Sequence, residues 1–438
     1  MDIIQASVPL FFLLIGLELV VARVRGQRLY RLNDSISDLS LGIISQLTGI
    51  FVALLTIALY GWVASRFTLT EALGVRWIDD APFPARSGGL GIGLDLVALA
   101  SWLTVFVLDD LVYYWVHRFS HEVNVLWAGH VVHHSSEEYN LTVALRQSSL
   151  HGLFTWIFYL PLAALGVPVT MWVVCHGLNL IYQFWIHTRG VVKLPRWAEA
   201  FLNTPSHHRV HHGVNPQYQD RNYAGVLIVW DRWFGTFEPE VEEPVYGITK
   251  PLASFNPLWA NVHVFAEIGR TVRGSRRWRD RLRAVFGHPG WRPAHLGPSA
   301  APRPVTATTF AKYDPLTPRP LLIYAAVQFL TVLVASVALL DHAASLPLGQ
   351  TLAGVFYLAL ALGNVGGVIE GRAWAAVSEL VRLSVLGIAA ALLLWLDRAG
   401  GWLLWPALAL ALGSSVWISW LRPHFQRPAD PPGHHGLS

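Results

Sequence analysis

Histidine at helical spacing is the chemistry-bearing residue of this chain. His117 and His121 stand four apart, His130, His133 and His134 at three and four, and His208, His211 and His212 repeat that second pattern. Between them, Gln183 and His187 form another four-residue pair with glutamine in the first place. Residues three or four apart share one helix face, so each run turns its rings to one side. Neutral imidazole binds zinc, iron, copper or nickel, and eight or nine rings without a matching carboxylate set exceed what one ion can hold. Two metal ions follow, about 4 Å to 6 Å apart, a little wider than the separation typical of two-metal sites because no bridging carboxylate is evident. In the last run, the spacing from His208 to His211 reproduces that from His130 to His133. This makes His208 the expected ligand and turns His207 about a quarter turn away.

Redox-inert zinc implies a closed structural or hydrolytic site, whereas attack on an unactivated lipid carbon requires iron and oxygen. The residues alone leave both open. Asp110, Asn203, Glu137 and Glu138 are expected to orient the ring N–H groups from behind. Other histidines are read as solvated: His288 and His295 in a Pro-rich stretch, His342 in a short loop, His434 and His435 in the tail. His151 and His263 are undecided, and His176, inside an apolar segment, needs a partner or a role beside the site.

The elements that position these rings are those of a membrane protein. Of 438 residues, 53% are hydrophobic and 14% charged, with a mean hydropathy of +0.41. Apolar stretches near residues 8–24, 39–64 and 90–116 are long enough to span the bilayer, and four more lie near 321–340, 348–369, 374–396 and 402–420. The stretch 150–185, interrupted by Pro161, Gly166 and Pro168, suits two short helices or a re-entrant hairpin. The first apolar run reads as a retained anchor. These features predict an all-α polytopic membrane protein with a histidine-rich di-metal cap. Its expected parts are a membrane-embedded domain over 1–286, a linker over 287–320, a helix bundle over 321–421 and a tail over 422–438.

Arginine clusters after the first span and over 270–283 place both regions, and with them every histidine run, on the cytoplasmic side. The net charge of +4 reflects this topology and not a nucleic-acid surface. The single cysteine, Cys175, excludes disulfides within the chain and thiolate clusters. No dinucleotide fingerprint, haem-attachment motif or iron–sulfur cysteine set is present, so any reductant comes from outside. A metal transporter is the competing reading, but transporters place ligands at the bilayer midplane in broken helices and not at helix ends.

These runs, in this order and spacing, resemble the fatty acid hydroxylase and sterol desaturase superfamily of membrane di-iron enzymes. Residues 117–148, the run from Asn203 to Pro216, and the stretches beginning at Asp220 and Trp230 are similar to its tetrahydrobiopterin-dependent, ether-lipid-cleaving branch. The close resemblance covers roughly residues 95–240. It implies metal ligation by His117, His121, His130, His133, His134, His187, His208, His211 and His212. It also implies two iron ions, molecular oxygen, and tetrahydrobiopterin or another external reductant, with zinc an alternative occupant. Gln183 stands where the lipid 2-hydroxylase branch has histidine, and with His207 it is expected in the layer behind the ligands. Glu122 matches a glutamate that the family places beside the second ligand, which implies a catalytic role; its other reading is a partner for Arg118. Asn222 and Tyr223 are expected to line the cofactor or substrate cavity. The implied substrate is a membrane lipid, an alkylglycerol ether by the nearest branch, or otherwise a sterol, carotenoid or acyl lipid.

Overall fold

The computed structural model describes residues 3–79, 95–297, 305, 309–396 and 404–425. Among them there is no β-strand; isolated bridges join Leu202 to Leu227 and Gly213 to Tyr246. Six helices are long and apolar enough to cross a membrane: Ala6–Val24, Leu32–Arg66, Leu96–Glu122, Arg319–His342, Leu348–Ile369 and Ala373–Trp395. The expected last span is the shorter helix Leu404–Trp420, and the starts of the spans expected at 90 and 402 lie outside the described residues, as do His434 and His435. The stretch 150–185 forms two pieces, Gly152–Ala164 and Val169–Trp185. The break falls at Gly166, whose φ of 74° favours glycine, and at Pro168; Pro161 is tolerated in the first turn of its helix.

Two compact units result, Met1–Arg31 with Thr48–Pro251 and Asn261–Ala311, and Leu32–Leu47 with Leu252–Ala260 and Lys312–Ser438. In the first unit, Leu96–Glu122 begins on Asp95, whose carboxylate accepts from the Val97 and Ala98 N–H groups at 2.9 Å and 3.0 Å. That helix ends at one extended residue, Val123, and the helix Asn124–His134 starts at once. The chain therefore turns a sharp corner and carries His130, His133 and His134 back over His117 and His121. Buried Arg146 caps the far end, donating to the Val132 carbonyl at 2.7 Å and Ser135 Oγ at 2.8 Å, where a cation suits the helix dipole. Buried Glu18 of the first helix accepts from Tyr30, Thr188 and the Leu141 N–H, fastening that helix to the segment that carries His187.

In the second unit the chain buries a charged pair. Glu379 and Arg382 join through two bonds of 2.6 Å and 2.8 Å, and their remaining positions are filled by Tyr324, Asn364, Gln328 and Tyr357. The pair joins residues from three helices, and Gln328 extends it to Ser414 on a fourth. Removing one member of a buried pair strands the other charge. Glu379→Ala is expected to destabilise the protein by about 3 kcal/mol and Glu379→Gln by less, read as thermal unfolding in lipid nanodiscs.

Candidate metal centre

The sequence-expected histidines meet in two groups. His117, His121, His130, His134 and His211 form one, and His133, His187, His208 and His212 form the other; within each, the ligand atoms lie within 4.8 Å of one another and every ring is buried. The groups adjoin, since the His134 and His212 rings stack at 4.4 Å and the His133 and His212 rings lie 4.6 Å apart. His207 belongs to neither: its Nε2 lies 3.0 Å from Glu199, which is held down to about 2, for although burial works the other way, the histidine and nearby donors outweigh it.

Ring orientation comes from the backbone. A carbonyl oxygen only accepts, so each imidazole nitrogen facing one must carry the proton. His117 Nδ1 donates to the Tyr223 carbonyl at 2.7 Å, His211 Nδ1 to that of Arg221 at 2.9 Å, His133 Nδ1 to that of Arg146 at 3.1 Å and His187 Nδ1 to that of Gln183 at 2.7 Å. Their Nε2 atoms are therefore bare when the rings are neutral. Burial above all, reinforced for most by neighbouring imidazoles, holds His130, His134, His187, His208, His211 and His212 well below the usual histidine range, and burial brings His133 to about 4. Yet His133 Nε2 and His187 Nε2 face each other at 3.1 Å. Two lone pairs at that distance repel, and no hydrogen is available to lie between them. A shared cation removes the conflict. His121 Nε2 and His212 Nε2, buried without a hydrogen-bond partner, add orphaned nitrogens to the same two groups. The donor sets thus fit metal ions, and five imidazoles in one group exceed the four ligands of a structural zinc.

The residues expected behind the ligands act at one remove. Asp110 bonds no histidine ring; it accepts from Val226 N–H, Leu227 N–H, Trp230 Nε1 and Asn179 at 2.8–3.0 Å. Asn203 donates to the Ala224 carbonyl at 2.6 Å, and Asp231 accepts from the Tyr223 and Ala224 N–H groups at 2.8 Å each. Together they pin the strap 220–231 that presents the Arg221 and Tyr223 carbonyls. Asp220 and Asn222 adopt left-handed φ angles of 58° and 56° in it. Gly225 is required there, because a Cβ would come within 2.7 Å to 2.9 Å of Asn179, Asp110 and Tyr113. Gln183 acts on His187 through its carbonyl, while its side chain bonds Tyr113 and Asn179, both at 2.7 Å. Glu137 and Glu138 face Arg31, and Glu138 also Arg189.

Glu122 lies outside both groups, paired with Arg118 at 2.9 Å and 39% exposed. Asn222 is wholly buried and engaged with the Glu238 and His207 backbone. Tyr223 packs its ring edgewise against His117, His121 and His211. His151 bonds Ser120 at 2.9 Å, and His176 lies 3.4 Å from Asp109. The orienting carbonyls left no sequence signal, since any residue supplies one; only Asp231, in the run Trp230-Asp231-Arg232, offered a side chain to follow.

The helical fold and the buried histidine groups agree with a lipid-oxidising membrane enzyme, and residues 102–236, which hold every histidine of both groups, match the fatty acid hydroxylase family. The chain is 37% identical over 385 residues to the alkylglycerol monooxygenase of Xenopus tropicalis, covering 87% of this chain and 80% of the relative. To the Homo sapiens protein of the same name it is 37% identical over 384 residues, 87% and 81% of the two chains. A shorter match, 27% over 150 residues, reaches the ornithine lipid hydroxylase of Rhizobium tropici, covering 34% of this chain and 45% of the relative. No solved structure matches. The chain belongs to the alkylglycerol monooxygenase family.

His208→Ala is expected to lose metal and activity that His207→Ala retains, measured by metal analysis and turnover. Gly225→Ala is expected to cost about 1–3 kcal/mol through displacement of the strap, and to lower metal occupancy with it. In metal-free protein, the buried histidines take up protons less readily than in the unfolded chain. The metal-free fold therefore keeps its full stability above the unfolded histidine value of about 6.5 and loses stability as pH falls from there towards 4; thermal unfolding of the metal-free protein across that range reads this directly.

Proposed function

We propose that the chain is an iron-dependent monooxygenase that inserts one oxygen atom of O2 into the C–H bond beside the ether oxygen of an alkylglycerol lipid. The observation that carries this reading is the pair of adjoining groups of five and four buried imidazoles with bare Nε2 atoms turned towards each other. His117, His121, His130, His134 and His211 would hold one ion, and His133, His187, His208 and His212 the other. Bound iron would supply the activation of oxygen, which no side chain provides. The chain's own part is to keep the rings neutral, to fix their tautomers through the four carbonyls, and to exclude water around the reacting carbon. The Tyr223 ring walls the five-histidine group, and the strap holds that ring in place.

The other oxygen atom leaves as water, and two electrons come from a reduced tetrahydrobiopterin, in keeping with the resemblance to the pterin-dependent branch. The hydroxylated product is a hemiacetal, which collapses to a fatty aldehyde and the glycerol derivative. The lipid chain enters from the bilayer, and oxygen and reductant arrive from the cytoplasmic side. Neither nucleic acid nor a tightly held electron carrier belongs to the scheme.

Anaerobically purified protein is expected to carry two iron ions per chain, read by metal analysis. Reconstituted in bilayers, it should release aldehyde from an alkylglycerol with oxygen and reduced pterin, and not with a ferredoxin system. Hydroxylation of an acyl or amino lipid with a protein electron donor, and no turnover of alkylglycerol, would overturn the substrate and reductant together.

A further inference from the structure

The helix Trp278–Phe286 turns an apolar stripe outward. Trp278, Leu282 and Phe286 recur at four-residue intervals, span an arc of about 80° on a helix of 3.6 residues per turn, and are 65%, 49% and 62% exposed. Arginine borders the stripe on both sides. Arg279 and Arg283 lie along one edge and Arg281 along the other, with Arg276 and Arg277 at the helix start, all exposed. Two of these guanidinium groups lie over indole rings, Arg279 at 5.6 Å from Trp278 and Arg283 at 4.9 Å from Trp291.

The opposite side is tied down. Ala284 is buried, and its carbonyl accepts from Asn124 Nδ2 at 2.8 Å; the Gly287 carbonyl accepts from the Asn124 N–H at 2.9 Å. Asn124 stands two residues beyond the apolar helix Leu96–Glu122 and opens the helix Asn124–His134. The amphipathic helix is therefore fastened where a membrane-crossing helix ends and a histidine-bearing one begins.

We propose that Trp278–Phe286 lies in the headgroup layer of the membrane, apolar stripe towards the acyl chains and arginines on anionic lipid headgroups, and so fixes the start of Asn124–His134 relative to the bilayer. A short helix with an aromatic and aliphatic stripe between arginines partitions into the interface, and anionic lipid adds attraction for each arginine. An acidic protein is the other occupant that arginine admits. The lipid surface is favoured because the stripe itself is apolar, begins at Trp278, a residue type suited to headgroup depth, and sits beside the end of a span.

The test uses the full chain carrying Leu282→Cys with Cys175→Ala, labelled with an environment-sensitive fluorophore and placed in nanodiscs of phosphatidylcholine alone or with phosphatidylglycerol. Unchanged metal content checks that the labelled protein is folded. Phosphatidylglycerol should shift the emission to the blue and increase quenching by lipids spin-labelled near the headgroup. Reversing Arg279, Arg281 and Arg283 to glutamate should abolish the difference between the two compositions. A label that stays water-like in both membranes would overturn the proposal. Equal shielding in both would refute the role of headgroup charge, and shielding that appears only on addition of an acidic ferredoxin would assign the face to a protein partner.

Discussion

Four imidazoles donate their Nδ1–H groups to backbone carbonyls, and this constraint organises the rest of the histidine-bearing unit. Once His133 and His187 each commit Nδ1 to a carbonyl, the Nε2 atoms that face each other carry only lone pairs. Burial closes the escape by protonation, because a charged imidazolium inside the protein lacks compensating water. Both groups are thus arranged for positive charge that the protein itself does not supply. This arrangement costs stability in the metal-free chain, and the surrounding hydrogen bonds must hold it against relaxation.

Those bonds come mostly from side chains that never touch a histidine ring. Asp110, Asn203 and Asp231 converge on the strap, the strap offers two carbonyls, and the carbonyls set His117 and His211. Arg146 performs two tasks at one place: its side chain caps the helix that carries His130, His133 and His134, and its carbonyl orients His133. A substitution at Asp110 therefore acts on the metal site through several intervening bonds, and its effect on metal affinity is a matter of precision in the strap and not of lost ligation.

The membrane spans were legible because hydropathy and length decide them, and the long helices fall where the apolar stretches do. The histidine runs were legible because ligand geometry imposes spacing on the chain. Gln183 and His187 illustrate the limit. Their spacing is visible, but it is the Gln183 carbonyl and not its amide that meets the ring, and main-chain atoms leave no trace in residue type. Asp110 and Asn203 were singled out as polar residues near the ligands, yet whether they face a ring or a strap depends on tertiary contacts with residues about 20 to 120 positions away. The one-residue corner at Val123 was likewise invisible, because a single extended residue between two helices carries no composition signal.

Both groups draw on the short segment His208–His212: one needs His211, the other His208 and His212. The chain leaves the ribosome N-terminus first, so the one span that carries His117 and His121 is made before that segment exists. Neither group is complete on a nascent chain shorter than 211 residues. Assembly of the centre is in this way deferred by the order of synthesis: a product stalled or truncated before His211 completes neither ligand set.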